Sequence, residues 1–153
     1  MDLKRRNFLL SLGLLGLATM RASAFPQGLA VIVHPNVDVV RLSDVDLEAI
    51  FLTERRYWSG TKPVVSFNLL ARSAERVTFD EAVLRMDPDT VARYWRDRRV
   101  RSGSPAPRQV PDPATVLRLV TKLEGAIGYV PEAIVTRDVR VVARIRNGKV
   151  LQP

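Results

Sequence analysis

The sequence predicts an α/β domain, a mainly parallel sheet with helical cover. Two observations lead there. Apolar runs of strand length at 29–33 (LAVIV), 64–69 (VVSFNL) and 126–130 (AIGYV) alternate with stretches whose apolar residues recur at helical spacing. The starts of those stretches carry capping residues, Ser43, Asp87-Pro88 and Asp112-Pro113. With 153 residues, 46% hydrophobic and 26% charged, the chain has the composition of one globular domain. It has no cysteine, which excludes disulfides, thiolate metal sites and a lipoprotein anchor.

Residues 1–24 have the organisation of an export signal. Lys4-Arg5-Arg6 is a basic start, 8–20 is a short apolar run and Ala22-Ser23-Ala24 is a small-residue cleavage site. The apolar run is shorter than the roughly 20 residues that span a bilayer. Arg5-Arg6-Asn7-Phe8-Leu9 resembles a twin-arginine signal, and the general secretory route uses the same three regions. Cleavage after Ala24 would leave one domain, 25–153, in the periplasm without a stable membrane span. It removes four of the 24 basic residues (Lys4, Arg5, Arg6, Arg21) and one of the 16 acidic ones (Asp2), leaving 20 against 15, a net charge of +5. That balance favours anionic ligands or surfaces.

Within 25–153 each element has its own justification. The unbroken run 29–33 suits a strand buried on both faces and ends at His34-Pro35-Asn36, a turn. Ser43 and Asp46 form a capping box, with Leu42 and Leu47 in the staple positions and Leu47, Ile50 and Phe51 as the buried stripe. Lys62-Pro63 precedes the strand 64–69. A helix follows from about Ser73, with Phe79, Ala82, Val83 and Met86 on one face. Asp87-Pro88 opens the next, with Val91, Tyr94 and Trp95 inward. Residues 102–111, with Gly103 and three prolines, predict a loop. Asp112-Pro113 starts a helix lined by Val116, Val120 and Leu123, and Gly125 stops it. The strand 126–130 follows. Alternation across 139–145 predicts an edge or one-sided strand, and Asn147-Gly148 a type I′ hairpin with a return arm at 149–152.

No catalytic constellation is visible, and the expectation is a non-enzyme. The only histidine, His34, sits in a turn without a nucleophile elbow. One histidine and no cysteine do not build a zinc or copper site, and no P-loop or dinucleotide fingerprint calls for a cofactor. Arg93, Arg96, Arg98, Arg99 and Arg101 crowd one helix, but Tyr94 and Trp95 face inward, so the arginines form the solvated side and no nucleic-acid partner is expected. The start of the Ser73 helix is the candidate anion site. Exposed N–H groups there suit an oxyanion, and Arg72 and Arg76 add charge able to hold one in a fork. Ser102 and Gly103, beside Arg101 and Ser104, offer a second donor cluster. The other assignment for Ser73 is a helix cap flanked by solvent-facing arginines.

Three segments in order carry a resemblance: 42–51 (LSDVDLEAIF) leading to Tyr57-Trp58-Ser59-Gly60, then Ser73 with Phe79, then 125–131 (GAIGYVP). They resemble the phosphate-binding, type II periplasmic solute-binding proteins. The resemblance implies a reduced form of that domain, binding phosphate or a similar oxyanion and serving the membrane subunits of an ABC importer. Ser73 falls on the serine of the family's Gly-Ser-Gly-Thr turn, whose glycines and threonine are replaced by Arg72, Ala74 and Glu75. Most of the family's first lobe has no counterpart here. Those departures open a second expectation, a periplasmic module that keeps the scaffold and binds another protein without a small ligand.

Overall fold

The computed structural model describes residues 28–153; the export signal expected at 1–24 and the cleavage expected after Ala24 lie outside the described residues. The chain runs β1 (Leu29–Val33), α1 (Asp44–Phe51), β2 (Val65–Leu69), α2 (Ala74–Phe79, continuing as a wider turn over Asp80–Leu84), α3 (Pro88–Ser102), β3 (Arg108–Val110), α4 (Pro113–Lys122), β4 (Ala126–Pro131), a short 3-10 turn at Glu132–Ile134, β5 (Arg140–Arg146) and β6 (Lys149–Leu151). The strands form a six-stranded sheet in the order β3-β2-β4-β1-β5-β6.

The α/β class holds, but the sheet is mixed. Only β3-β2 and β2-β4 pair in parallel; β1 runs antiparallel to both β4 and β5, and β5 to β6. The apolar run at 29–33 does predict burial, since all five residues of β1 are fully buried. Apolarity on both faces says nothing about strand direction, and that is where the parallel expectation failed. The parallel part is confined to the half of the sheet crossed over by α2, α3 and α4, as a parallel connection requires.

Two further departures have local causes. The loop predicted at 102–111 contains β3, whose outer residues Arg108 and Gln109 are exposed and show no alternation long enough to read. The strand at 140–146 is not an edge: β6 covers it on one side and β1 on the other. Its register against β1 slips between Val31 and Ile32, so Val142 and Ala143 are both buried and the alternation breaks. Asn147 and Gly148 both have positive φ, 51° and 69°, as a type I′ turn demands.

The caps behave as their chemistry requires. Ser43 Oγ accepts from the Asp46 backbone N–H at 3.2 Å, and Asp46 Oδ2 accepts from the Ser43 backbone N–H at 3.0 Å and from Ser43 Oγ at 2.7 Å. The staple residues Leu42 and Leu47 are buried. The two Ser43 hydrogen bonds, and then Arg55, hold the Asp46 carboxyl below its usual 3.8. A depressed carboxylate contributes stability that is present above the unfolded value and lost as pH falls through the folded one. Ser43→Ala is therefore expected to cost about 1 kcal/mol at neutral pH. The gap to wild type should narrow as Asp46 protonates, which urea unfolding at pH 7 and pH 3 would measure. Asp87 and Asp112 cap α3 and α4 through Thr90 and Thr115.

The aromatic core sits under the sheet centre. Phe79 stacks on Tyr129 with centroids 4.0 Å apart and rings 7° from parallel, and Phe51 packs against Phe79 at 4.5 Å. Such pairs add about 0.5–1.5 kcal/mol beyond the area they bury.

Candidate functional site

In open α/β sheets, ligands bind beyond the carboxyl ends of the parallel strands. That edge here belongs to β2 and β3, paired Asn68 to Gln109 and Leu69 to Val110. A cavity of about 170 Å³ opens beside it, between the strand ends and the inner face of α3. Its polar lining is Asn68, Arg76, Asp80, Arg99 and Gln109; its apolar lining includes Pro88, Val91 and Trp95.

Three of the polar residues are almost completely inaccessible: Asn68 at 3%, Arg76 at 2% and Asp80 at 2%. Arg76 and Asp80 face each other because they are four residues apart along the helix. Arg76 Nε donates to Asp80 Oδ2 at 2.5 Å, and Arg76 Nη1 donates to the Leu69 carbonyl at 3.1 Å. Asp80 Oδ1 is buried with no hydrogen-bond partner. Burial pushes the Asp80 carboxyl up from its usual value, and the charge and hydrogen bond of Arg76 pull against that shift without cancelling it. Asn68 Oδ1 accepts from the Tyr129 hydroxyl at 3.1 Å, and that hydroxyl accepts from the Leu69 backbone N–H at 3.3 Å. Tyr129 is itself held neutral by burial, which raises its phenol well above the usual value. The Asn68 oxygen is thus engaged and its Nδ2 remains as a donor. Arg99 contributes to the cavity lining but is itself exposed, and it has no acidic partner among the described residues.

The residues singled out from the sequence fall in three separate places. Arg76 belongs to this cavity, with its charge offset by Asp80. Arg72 is exposed on the outer surface, 3.6 Å from the equally exposed Asp89. Ser73 is a helix cap, its Oγ accepting from the Arg76 backbone N–H at 3.3 Å. Ser102 and Gly103 lie at the carboxyl end of α3, where Gly103 adopts φ 64° and donates its N–H to the Arg99 carbonyl. Ser102 Oγ donates to the Arg98 carbonyl at 3.0 Å. A helix carboxyl end presents carbonyls and partial negative charge. The structure does not bring this pair together with Arg76.

Asn68, Asp80 and Gln109 were not singled out from the sequence, and Arg99 was read there only as one of the arginines on the solvated side of its helix. One signal for Asp80 was available. Arg76, Phe79, Asp80 and Val83 are spaced i, i+3, i+4, i+7, so the charged pair lies on the same stripe as the core residues. Charges on a buried stripe must meet each other or a ligand.

No protein-family model and no curated protein matches the chain. Solved structures do. One, from Clostridium perfringens, was crystallised with bound phosphate and is described as a phosphate ABC transporter substrate-binding protein; it is 23% identical with a TM-score of 0.61, and the match covers 75% of this chain and 44% of that one. An ABC-type phosphate transport receptor from Vibrio cholerae matches at 19% identity and TM-score 0.61, over 75% of this chain and 45% of its own. PstS from Borrelia burgdorferi matches at 14% identity and TM-score 0.60, over 75% and 46%. The chain thus has the fold of half of a phosphate-transporter substrate-binding protein, and it spans less than half the length of the structures it matches. These neighbours are binding proteins and not enzymes by name. Among the described residues, no helix is long and apolar enough to cross a membrane, and no cluster of three metal-ligating side chains occurs.

Proposed function

We propose that this protein is an exported solute-binding component that holds phosphate or a similar oxyanion in the cavity at the carboxyl ends of β2 and β3. It would work in the periplasm and serve an ABC importer. The observation that carries the proposal is the buried polar group Asn68-Arg76-Asp80 lining that cavity, with Arg99 unneutralised at its wall. Buried polar groups are costly unless satisfied. A set of them gathered beside an accessible cavity, at the end of the sheet where this fold class binds ligands, supports a ligand there. The bound phosphate of the Clostridium perfringens neighbour supports an oxyanion.

The test is a thermal-shift titration of the protein with phosphate, sulfate and chloride at fixed ionic strength. A ligand at 100 times its dissociation constant adds about 2.7 kcal/mol, on the order of 10 °C for a domain of this size. An oxyanion-selective rise is expected, and its loss in Arg99→Gln would place the ligand in this cavity. No rise, or one common to every salt, overturns the proposal. A second reading, a protein-binding module without a small ligand, is favoured by one observation: Asp80 already offsets the charge of Arg76. Stable co-purification of a periplasmic protein with no dependence on anions would support it.

A further inference from the structure

Asn68 lies near the carboxyl end of β2 and lines the cavity with the 3% of its surface that stays accessible. An amide has a donor end and an acceptor end, and Tyr129 decides which of them meets the cavity. The Tyr129 hydroxyl oxygen accepts from the Leu69 backbone N–H at 3.3 Å. Its own proton still needs an acceptor, and the one it meets among the described residues is Asn68 Oδ1, at 3.1 Å. Turning the amide over would set Nδ2 against the hydroxyl and strand that proton in a fully buried place, at the cost of an unmade hydrogen bond. Oδ1 therefore faces Tyr129 and Nδ2 faces away from it. Nδ2 has no hydrogen-bond partner among the described residues, and it is not one of the sealed, unpartnered side-chain atoms, which are Thr53 Oγ1 and Asp80 Oδ1. The accessible surface of Asn68 at the cavity thus includes its donor end.

The hydroxyl can hold the amide in one orientation because it is itself fixed. Tyr129 is fully buried, its ring stacked on Phe79 at 4.0 Å and packed against Phe51 at 5.8 Å. Burial raises the phenol well above its usual value, so the donated proton stays in place. The ring belongs to the core and the hydroxyl to the site. Leu69 ties the charge to the same point: its N–H holds Tyr129, and its carbonyl accepts from Arg76 Nη1 at 3.1 Å. A neutral donor and a guanidinium are anchored on adjacent residues of one strand end, and both line the cavity.

We propose that Tyr129 is a positioning residue of the site: its hydroxyl fixes the Asn68 side chain so that Nδ2 donates to an oxygen of the bound oxyanion. This deepens the proposed function and rests on it. Tyr129 has no accessible surface and does not touch the ligand; it acts through Asn68. A donor set in advance has no rotamer freedom left to lose when the anion binds, which is what the contact to Tyr129 contributes to affinity.

The experiment is calorimetric titration with inorganic phosphate and with sulfate of the wild-type protein, Asn68→Ala, Tyr129→Phe and the double variant. For the anion that binds the wild type more tightly, Asn68→Ala is expected to weaken binding about tenfold, the loss of one hydrogen bond to a charged group. Tyr129→Phe should weaken it about fivefold, and in the Asn68→Ala background by no more than about 1.5-fold, because the residue it acts through is gone. A merely structural Tyr129 would lower the affinity by the same factor in both backgrounds, and that result overturns the proposal. Tyr129→Phe binding as tightly as wild type also overturns it and leaves the proposed function standing. Absence of wild-type binding to either anion overturns both. Where Tyr129→Phe fails to fold, the side-chain amide signals of Asn68 in the wild-type protein, identified by their loss in Asn68→Ala, decide the matter. They should shift in nitrogen–proton correlation spectra as the anion saturates the site; signals that stay in place at saturation overturn the proposal.

Discussion

Asp80→Ala is expected to be the most damaging single substitution in the chain, lowering the free energy of unfolding by about 3–5 kcal/mol. The reason is what it leaves behind. Arg76 is 2% exposed and points its guanidinium at Asp80 Oδ2 and the Leu69 carbonyl. Without the carboxylate, a buried cation keeps one neutral acceptor and loses its counter-charge. The pair itself is not a large source of stability, because desolvating two ions offsets most of their attraction. The double variant Arg76→Met with Asp80→Leu should therefore recover most of the loss, while Arg76→Met alone strands a carboxylate and should resemble Asp80→Ala. Urea unfolding of the three variants measures this. If Asp80→Ala costs less than about 1 kcal/mol, water reaches Arg76 through the cavity and the site is more open than its burial indicates. If the double variant is as unstable as the single ones, packing and not charge is the cause.

The same pair shows how far the site was legible. Spacing singled out Arg76, because arginine near a capped helix start is a plausible anion ligand. Spacing also placed Arg76 and Asp80 on the stripe of Phe79 and Val83, which is the buried side. Composition alone cannot say that two charges on that stripe are partners, and so Asp80 was passed over. Arg72 and Ser73 had the chemistry of a site but the positions of a surface residue and a cap. Ser102 and Gly103 had suitable donors in an unsuitable field, since the direction of α3 decides whether its end attracts or repels an anion. Gln109 joins the cavity only through β3, a strand of three residues that no periodicity announces.

The fold was more legible than the site, for a reason visible in the segments that carried the family resemblance. Phe51, Phe79 and Tyr129 come from three of those segments, and in the structure they pack into one aromatic cluster. Motifs of that kind report core packing. They mark the scaffold and carry no information about the ligand. That is why the resemblance anticipated an α/β lobe of the right class while it placed only Ser73 on a ligand-binding position, where the structure shows a helix cap. Strand direction was lost for a comparable reason: burial on both faces fixes the side-chain types of β1, and hydrogen-bond direction leaves no trace in them.

Gly125→Ala is the second large effect expected, about 3 kcal/mol or more, and it tests the join between the two most distant of those segments. Gly125 has φ 73°, and a Cβ there would lie 2.3 Å from the Pro63 carbonyl oxygen. The left-handed backbone alone costs an alanine about 1 kcal/mol or more. The contact is with backbone, so it cannot be relieved by a rotamer change, and Gly125 or Pro63 must move. Movement has a further cost because the Gly125 carbonyl accepts twice, from Trp58 Nε1 at 2.8 Å and from the Val65 backbone N–H at 3.0 Å. Each of those buried bonds is worth about 1 kcal/mol. Trp58→Phe removes only the first and should cost about 1–2 kcal/mol. Trp58 also reports the event, since an indole released from a buried acceptor emits at longer wavelength. Gly125→Ala should therefore show both a lower urea midpoint and a red-shifted folded-state emission, whereas Trp58→Phe in the same background should add little further loss, because the bond it removes is already broken. Full additivity of the two substitutions would mean that the alanine is accommodated by shifting Pro63, with the indole hydrogen bond intact.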